Sequence, residues 1–360
     1  MTSGLENVIA AETILSHVDG EAGRLILRGY DLADLAGRAS FEEVAALLWA
    51  GLVPQAGDAA HLRGALGQAR LEAFARFAPL VAGHEDLRPV EMMRFLLASL
   101  PDGDRDHEPV ALLGSSAVAA ALALRAGEGQ APVPPDPALG QAADLLRMIR
   151  GAPGSAAEVL ALETYLVTVI DHGLNASTFA ARVVASTAAG LPSALVAALG
   201  ALKGPLHGGS PGPVLDMLDA IGTPDGASAW IAAALDRGDR LMGLGHRVYR
   251  VRDPRADVLK AALGRLGLKA GRRLGLAEAV EQAALDALRQ RKSGRRLDIN
   301  VEFYTALLLE ALAIPREGFT PVFAAGRTAG WIAHVREQEA SGRLIRPQSR
   351  YIGPRPVEAA

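Results

Sequence analysis

"DINVEFYTALLLEALAIP", residues 298–315, changes character within a few positions. Asp298 and Asn300 open it, and then Leu307, Leu308, Leu309, Leu312 and Ile314 take the spacing of a buried helix. At the start of that run one carboxylate, Glu302, stands between Val301 and Phe303. A charge against apolar surface costs several kcal/mol unless it is paired or put to use. Glu302 is therefore either a solvated first-turn acid or the working carboxylate of a site.

Outward from this helix the same periodicity recurs. "SFEEVAALLWAGLVP" (40–54) carries a capping box, Ser40 with Glu43, then apolar Val44, Leu47 and Leu48, and reads as a helix stopped at Pro54. "LAEAVEQAALDALRQRKSG" (276–294) places acids early, bases late and Gly294 at the expected C-cap. Alternating apolar and polar runs are scarce, and "GRLILRGY" (23–30) is the best strand candidate. The pattern predicts an all-α fold. "RAGEGQAPVPPDPALG" (125–140) reads as a surface connection rather than a domain boundary, because helical pattern continues on both sides.

The chain has 360 residues, half of them hydrophobic but only 4% aromatic, so its core must be close-packed Ala, Leu and Val. Its 37 basic and 40 acidic residues leave a formal charge of −3, which provides no global field for nucleic acid or an anionic membrane. The lack of cysteine removes disulfides, thiolate nucleophiles and cysteine–zinc sites, and points to a cytoplasmic setting. No signal-peptide pattern opens "MTSGLENVIAAET". Two uncharged runs read as buried helices and not as spans. Pro109–Leu124 is too short, and Val183–Leu202 is interrupted by Gly190 and Pro192. Phosphate loops and dinucleotide glycine fingerprints are absent.

Three of the eight histidines sit in glycine-bearing, loop-like contexts: "IDHGLNAST" (His172), "KGPLHGGSPG" (His207) and "MGLGHRVYRVRDPR" (His246). Glycine beside histidine lets backbone approach a ligand and leaves the imidazole unshielded. In "RDPRADVLK", Asp253 reads as an N-cap and Pro254 as N1, which places Arg255 in a first turn where a cation opposes the helix dipole. A bound anion would relieve that conflict. Arg327 in "AAGRTAGW" and Arg346 in "RLIRPQS" are likewise flanked by turn residues or proline. Histidine donors, one carboxylate and several arginines suit proton abstraction alpha to a carbonyl, then attack of the enolate on a second carbonyl of an anionic substrate. That chemistry needs no metal.

At these residues the chain resembles the citrate synthase family. Five motifs in the family's order carry the resemblance: "DHGLNASTFAARVVAST", "GPLHGG", "GLGHRVYRVRDPRA", "NVEFY" and "GRTAGWIAHVREQ". It extends over nearly the whole chain, from "AAETILSHVDGEAGRLILRGYD" to "IRPQSRYIGP". The resemblance implies an all-α homodimer with a large domain (1–208 and 314–360) and a small domain (209–313) that closes over oxaloacetate and creates the acetyl-CoA site. It implies a citrate-forming acyltransferase of the tricarboxylic acid cycle, with acetyl-CoA as co-substrate and no resident cofactor. By motif, His207 would stabilise the acetyl-CoA enolate, and His246 would polarise and protonate the oxaloacetate carbonyl. His172, Arg255 and Arg327 would bind oxaloacetate, with Arg346 supplied by the partner subunit. The backbone at Leu241, Gly243 and Gly245 would pass the CoA adenine, and Arg250 would approach its phosphates.

Three departures stand out. The family's usual aspartate after "NV" is Glu302 here, "HGGANE" is "HGGSPG", and "DHELNAS" is "DHGLNAS". Glu302 still aligns as the base, while Asp298 precedes the "NV" anchor. One extra methylene displaces a carboxylate by roughly 1 Å, an error that can cost ~10²-fold in rate unless the backbone near Ser210–Gly212 compensates. Two rivals follow: a 2-methylcitrate synthase using propionyl-CoA, and a binding or regulatory homologue with little activity. One methylene is worth only ~1–3 kcal/mol of discrimination, and no residue decides between the acyl chains.

Overall fold

The computed structural model describes residues 5, 8–103, 107–208, 211–246, 248–267, 270–291 and 297–354. Three short strands, β1 (Ser16–Asp19), β2 (Arg24–Leu27) and β3 (Tyr30–Asp31), form an antiparallel sheet in that order, with His17 opposite Ile26 and Leu27 opposite Tyr30. Most of the other described residues are helical, as the periodicity predicts. The first helices are α1 (Leu32–Leu35), α2 (Phe41–Trp49), α3 (Ala59–Val81), α4 (Pro89–Ala98) and α5 (Glu108–Gly127). Then come α6 (Gln141–Arg150), α7 (Ala156–Val169), α8 (Ala176–Ala185), α9 (Leu191–Leu202) and α10 (Pro211–Ile221). The last are α11 (Ala227–Asp236), α12 (Pro254–Arg265), α13 (Gly271–Arg291), α14 (Val301–Ala311) and α15 (Phe319–Ser341).

Local signals hold where they are chemical. The Ser40–Glu43 capping box forms, but α2 ends at Trp49, well before Pro54, because Gly51 turns the chain with φ +76°. The opening run becomes α14 only as far as Ala311. Leu312 caps it and Ile314 lies beyond a turn at Ala313 (φ +55°), yet both are buried. Val183–Leu202 is two helices, α8 and α9, since Gly190 (φ +85°) and Pro192 restart the chain. The expected C-cap Gly294 lies outside the described residues.

The 125–140 connection is not simply surface. Arg125 belongs to α5, and the loop carbonyl of Leu139 accepts from Arg70, which is ion-paired at 2.8 Å to Asp144 with both side chains fully buried. The loop therefore closes a buried polar network. Among the described residues α5 alone is long and apolar enough to cross a bilayer, and 78% of its apolar window is buried inside the fold.

Helix α15 runs through the centre, packing on α5, α7, α8 and α9. Two glycines one turn apart set its approach to the end of α7. A Cβ at Gly330 would lie 2.1 Å from the Ile170 carbonyl, and one at Gly326 would lie 2.9 Å from Val169. Only glycine lets the backbones meet there. Arg327, on the same stretch, is thereby carried to the loop after α7.

Candidate active site

The loop after α7 is pinned from both sides. Arg327 Nε donates to the Val169 carbonyl. The fully buried Asp171 carboxylate accepts from Ser16 Oγ on β1, from the Gly173 N–H at 3.2 Å and from His334 Nε2 at 3.1 Å. Arg182 Nη1, a donor, faces His334 Nδ1 at 3.0 Å, so that nitrogen accepts and Nε2–H donates to Asp171. Burial pushes the Asp171 carboxyl up, but His334, Arg327 and Ser16 outweigh it and hold it at about 2. His172 is the next residue, on a loop that cannot drift.

His246 follows Gly245 in the second loop. The Val248 and Tyr249 N–H groups both donate to its Nδ1 at 3.0 Å. Nδ1 is thus the acceptor, and Nε2 carries the proton of the neutral ring. Arg255 Nη2 lies 3.3 Å from that Nε2. Two donors cannot bond to one another, so the pair is aimed at a common acceptor. The rings of His172 and His246 stand 5.5 Å apart, edge to face.

Arg255 qualifies the dipole reading. Asp253 caps α12, as its sequence predicts, and its carboxylate also grips Arg255 at 3.0 Å (Nε) and 2.8 Å (Nη2). The helix's own cap therefore answers the arginine's charge, and the dipole conflict does not by itself demand a ligand. Burial opposes the Arg255 charge, and Asp253 overcomes that, with Glu302 adding its field. Asp253 Oδ2 accepts from Val301 N–H at 3.1 Å as well, so one buried carboxylate ties the starts of α12 and α14.

Glu302 sits in the first turn of α14, half-buried, its N–H bonded to the Asn300 cap at 3.0 Å. Asn300 N–H donates to Gly243 C=O at 3.0 Å and its Nδ2 to Gly245 C=O at 2.8 Å. These bonds lock the Glu302 helix start to the His246 loop. Gly243 is obligatory there, with φ +75° and a hypothetical Cβ 2.8 Å from Phe303. Asp298 is engaged elsewhere, accepting from Ile299 N–H at 2.7 Å and pairing with Arg252 at 3.3 Å.

His207, after α9, reaches Ser177 Oγ at 2.9 Å. That hydroxyl also receives Trp331 Nε1–H at 3.2 Å and lies 2.8 Å from Asn175 Oδ1, the α8 cap. The His207 ring faces Phe323 at 6.4 Å, and Arg327 lies 4.9 Å over the same phenyl ring. Arg327 is 1% exposed, and its Nη1 has no hydrogen-bond partner among the described residues. Burial lowers its pKa to about 10, so it stays charged at neutral pH. A buried guanidinium with an open donor is a strong anion site.

Other expected residues stand apart. Arg346 is exposed on the extended segment after α15, which Ile345 N–H fastens to Ser186 Oγ at 3.0 Å. At 241–245, Gly243 C=O, Gly245 N–H and Gly245 C=O are all bonded to residues 298–300, so this backbone serves first as a tether. Leu241 is buried and Arg250 exposed, its N–H bonded to Gly20 C=O at 2.8 Å. Gly209 and Ser210, in the altered "HGGSPG" tail, lie outside the described residues. Sequence reasoning overlooked Ser177, Trp331 and Tyr249, and saw Asp253 only as a cap. All three overlooked residues lie inside the motifs that carry the family resemblance.

Burial, then the Arg327 and Arg255 fields, lowers the pKa of His207 to about 4. Burial and Arg255 likewise hold His246 at about 4, and burial with Arg255 puts His172 well below the ordinary 6.5. At neutral pH all three rings are uncharged. The unfolded chain binds protons below pH 6.5 that the folded chain refuses until about pH 4, so stability must fall as pH drops through that window. Unfolding temperature should decline from pH 6.5 to 4.5, and less steeply in His207→Gln and His246→Gln. Equal slopes in the variants and the wild type would contradict the depressed values.

Against this geometry stand the known proteins. The family profile "Citrate synthase, C-terminal domain" matches residues 4–348. A citrate synthase of Haloferax volcanii is 38% identical over 377 residues, covering 99% of this chain and 96% of that protein. A 2-methylcitrate synthase of Mycobacterium tuberculosis is 35% identical over 362 residues, covering 97% and 90%. The ternary complex of carboxymethyl-CoA and oxaloacetate with the citrate synthase of Thermoplasma acidophilum superimposes with a TM-score of 0.87 at 26% identity, covering 100% of this chain and 98% of that one.

Proposed function

The chain belongs to the citrate synthase family, and from that premise we propose that it condenses acetyl-CoA with oxaloacetate to give citrate and CoA, the citrate-forming step of the tricarboxylic acid cycle. It is a citrate synthase-type transferase. Glu302 takes a proton from the acetyl methyl group, and His207 donates a hydrogen bond to the thioester oxygen where the enolate charge develops. A neutral imidazole suits that task, since a cation would not survive beside Arg327 and Arg255. Ser177 Oγ, 2.9 Å from His207 Nε2, fixes the orientation of the ring. The enolate carbon attacks the ketone, whose oxygen is polarised by His246 Nε2–H and then takes that proton. Hydrolysis of the resulting thioester consumes one water and frees CoA.

The observation that carries this reading is the convergence of His246 Nε2–H and Arg255 Nη2, 3.3 Å apart, near a buried Arg327 with an open donor. Together they suit a keto acid with two carboxylates. Steady-state CoA release with oxaloacetate and either acetyl-CoA or propionyl-CoA tests it. Release with acetyl-CoA favoured is expected; preference for propionyl-CoA would move the chain to 2-methylcitrate synthesis, and no release would reject the reading.

The working unit in this proposal is a cytoplasmic homodimer in which residues 209–313 close over oxaloacetate before the acyl-CoA site, along 241–245 and Arg250, is complete. Oxaloacetate should then raise acyl-CoA affinity. Arg346, exposed on its own subunit, completes the partner's site. Arg346→Leu should be as impaired as Arg327→Leu, and mixing the two should restore about a quarter of wild-type activity, from one intact site in each mixed dimer. Mixtures no more active than their components would remove Arg346 from the partner's site.

A further inference from the structure

We propose that Tyr249 is the positioning residue for the keto-acid half of the site, with its hydroxyl setting His172 and its ring spacing His246 and Arg255. Tyr249 is 3% exposed and touches all three groups. Its hydroxyl lies 3.2 Å from His172 Nε2, and its ring centre lies 5.6 Å from that imidazole. The same ring stands 4.7 Å from His246, tilted 40°, and carries the Arg255 guanidinium at 5.8 Å. Its backbone N–H is one of the two donors that fix the His246 tautomer. No other aromatic residue among those described touches both histidines.

The chemistry follows from what each part supplies. An imidazole on a glycine-bearing loop has two ring orientations and two neutral tautomers, and only some of these present a donor to a carboxylate. A phenol fixed by its own buried ring takes one nitrogen and leaves the other for the substrate. Burial pushes the Tyr249 phenol far up, so it keeps its proton and serves a neutral partner. The π face answers a guanidinium whose Nε and Nη2 are held by the Asp253 carboxylate. A leucine here would fill space without either service.

This inference rests on the oxaloacetate reading of the site. In CoA-release kinetics, Tyr249→Phe, which keeps the ring, should raise the oxaloacetate KM roughly three- to tenfold. The acetyl-CoA KM at saturating oxaloacetate should stay within about twofold, and kcat within about threefold. Tyr249→Leu should raise the oxaloacetate KM further and lower kcat at least about tenfold, as His246 and Arg255 lose their spacer. Tyr30→Phe, at an exposed tyrosine, serves as the control. A Tyr249→Phe enzyme with the wild-type oxaloacetate KM, or one raised equally for both substrates, would overturn the proposal, and the phenylalanine variant decides even if the leucine variant does not fold. A wild-type chain that releases no CoA would overturn the functional reading, and this proposal with it.

Discussion

Replacing Arg327 by Leu should raise the oxaloacetate KM by roughly 10- to 100-fold or more, since a hydrogen bond to a charged group contributes ~1.5–3 kcal/mol and each 1.4 kcal/mol is tenfold. The unliganded variant should unfold at a temperature no lower than the wild type. Both effects have one origin. Arg327 is buried, its Nη1 has no partner among the described residues, and burial depresses its pKa to about 10. A cation held that way costs the empty fold stability and is compensated when an anion arrives. Leucine keeps the packing against Phe323 and removes the cost. Oxaloacetate should raise the unfolding temperature of the wild type and fail to raise that of the variant. A large fall in the variant's unliganded stability would mean that its bond to Val169, not substrate binding, is the residue's main work.

Glu302→Gln should lower kcat by ~10²–10⁴-fold, the usual contribution of a positioned base, while oxaloacetate still protects against thermal unfolding. The amide keeps the shape and the α14 start, because the cap bond from Glu302 N–H to Asn300 is made by backbone. Glu302→Asp separates two histories of the site. If the loops are set for the family's usual aspartate, the shorter side chain is tolerated or faster. If they have moved to suit glutamate, its carboxylate falls short of the acetyl methyl group and the rate drops. A glutamine variant with wild-type kcat would remove Glu302 from the reaction; Asp298, held by Ile299 and Arg252, is a poor replacement.

What could be read from the sequence divides by the range of the interaction. The Ser40–Glu43 capping box and the Asp253–Pro254 start are written in two to four adjacent residues, and the structure has them as expected. The partner of Arg255 was equally local but hidden, because an N-cap aspartate can accept from its own helix and grip a side chain at once. Contacts across the chain left no pattern. Ser177 meets His207 30 residues away and Trp331 154 away, so its part in the site appears only once α8, α9 and α15 are packed. Strand β1 escaped for a similar reason: "SHVD" has little strand character, and Ser16 is held by Asp171, 155 residues on. The 125–140 connection looked superficial because Arg70, which binds it down, lies on α3.

The most direct measurement follows the carbon that the enzyme must move. Acetyl-CoA labelled in its methyl carbon, mixed with oxaloacetate and the purified chain, can be followed by NMR. The label is expected to leave the thioester and appear in a methylene of citrate, at a rate that Glu302→Gln cuts at least about a hundredfold. Labelled acetyl-CoA that persists, or that yields acetate without a new carbon–carbon bond, would contradict condensation at this site.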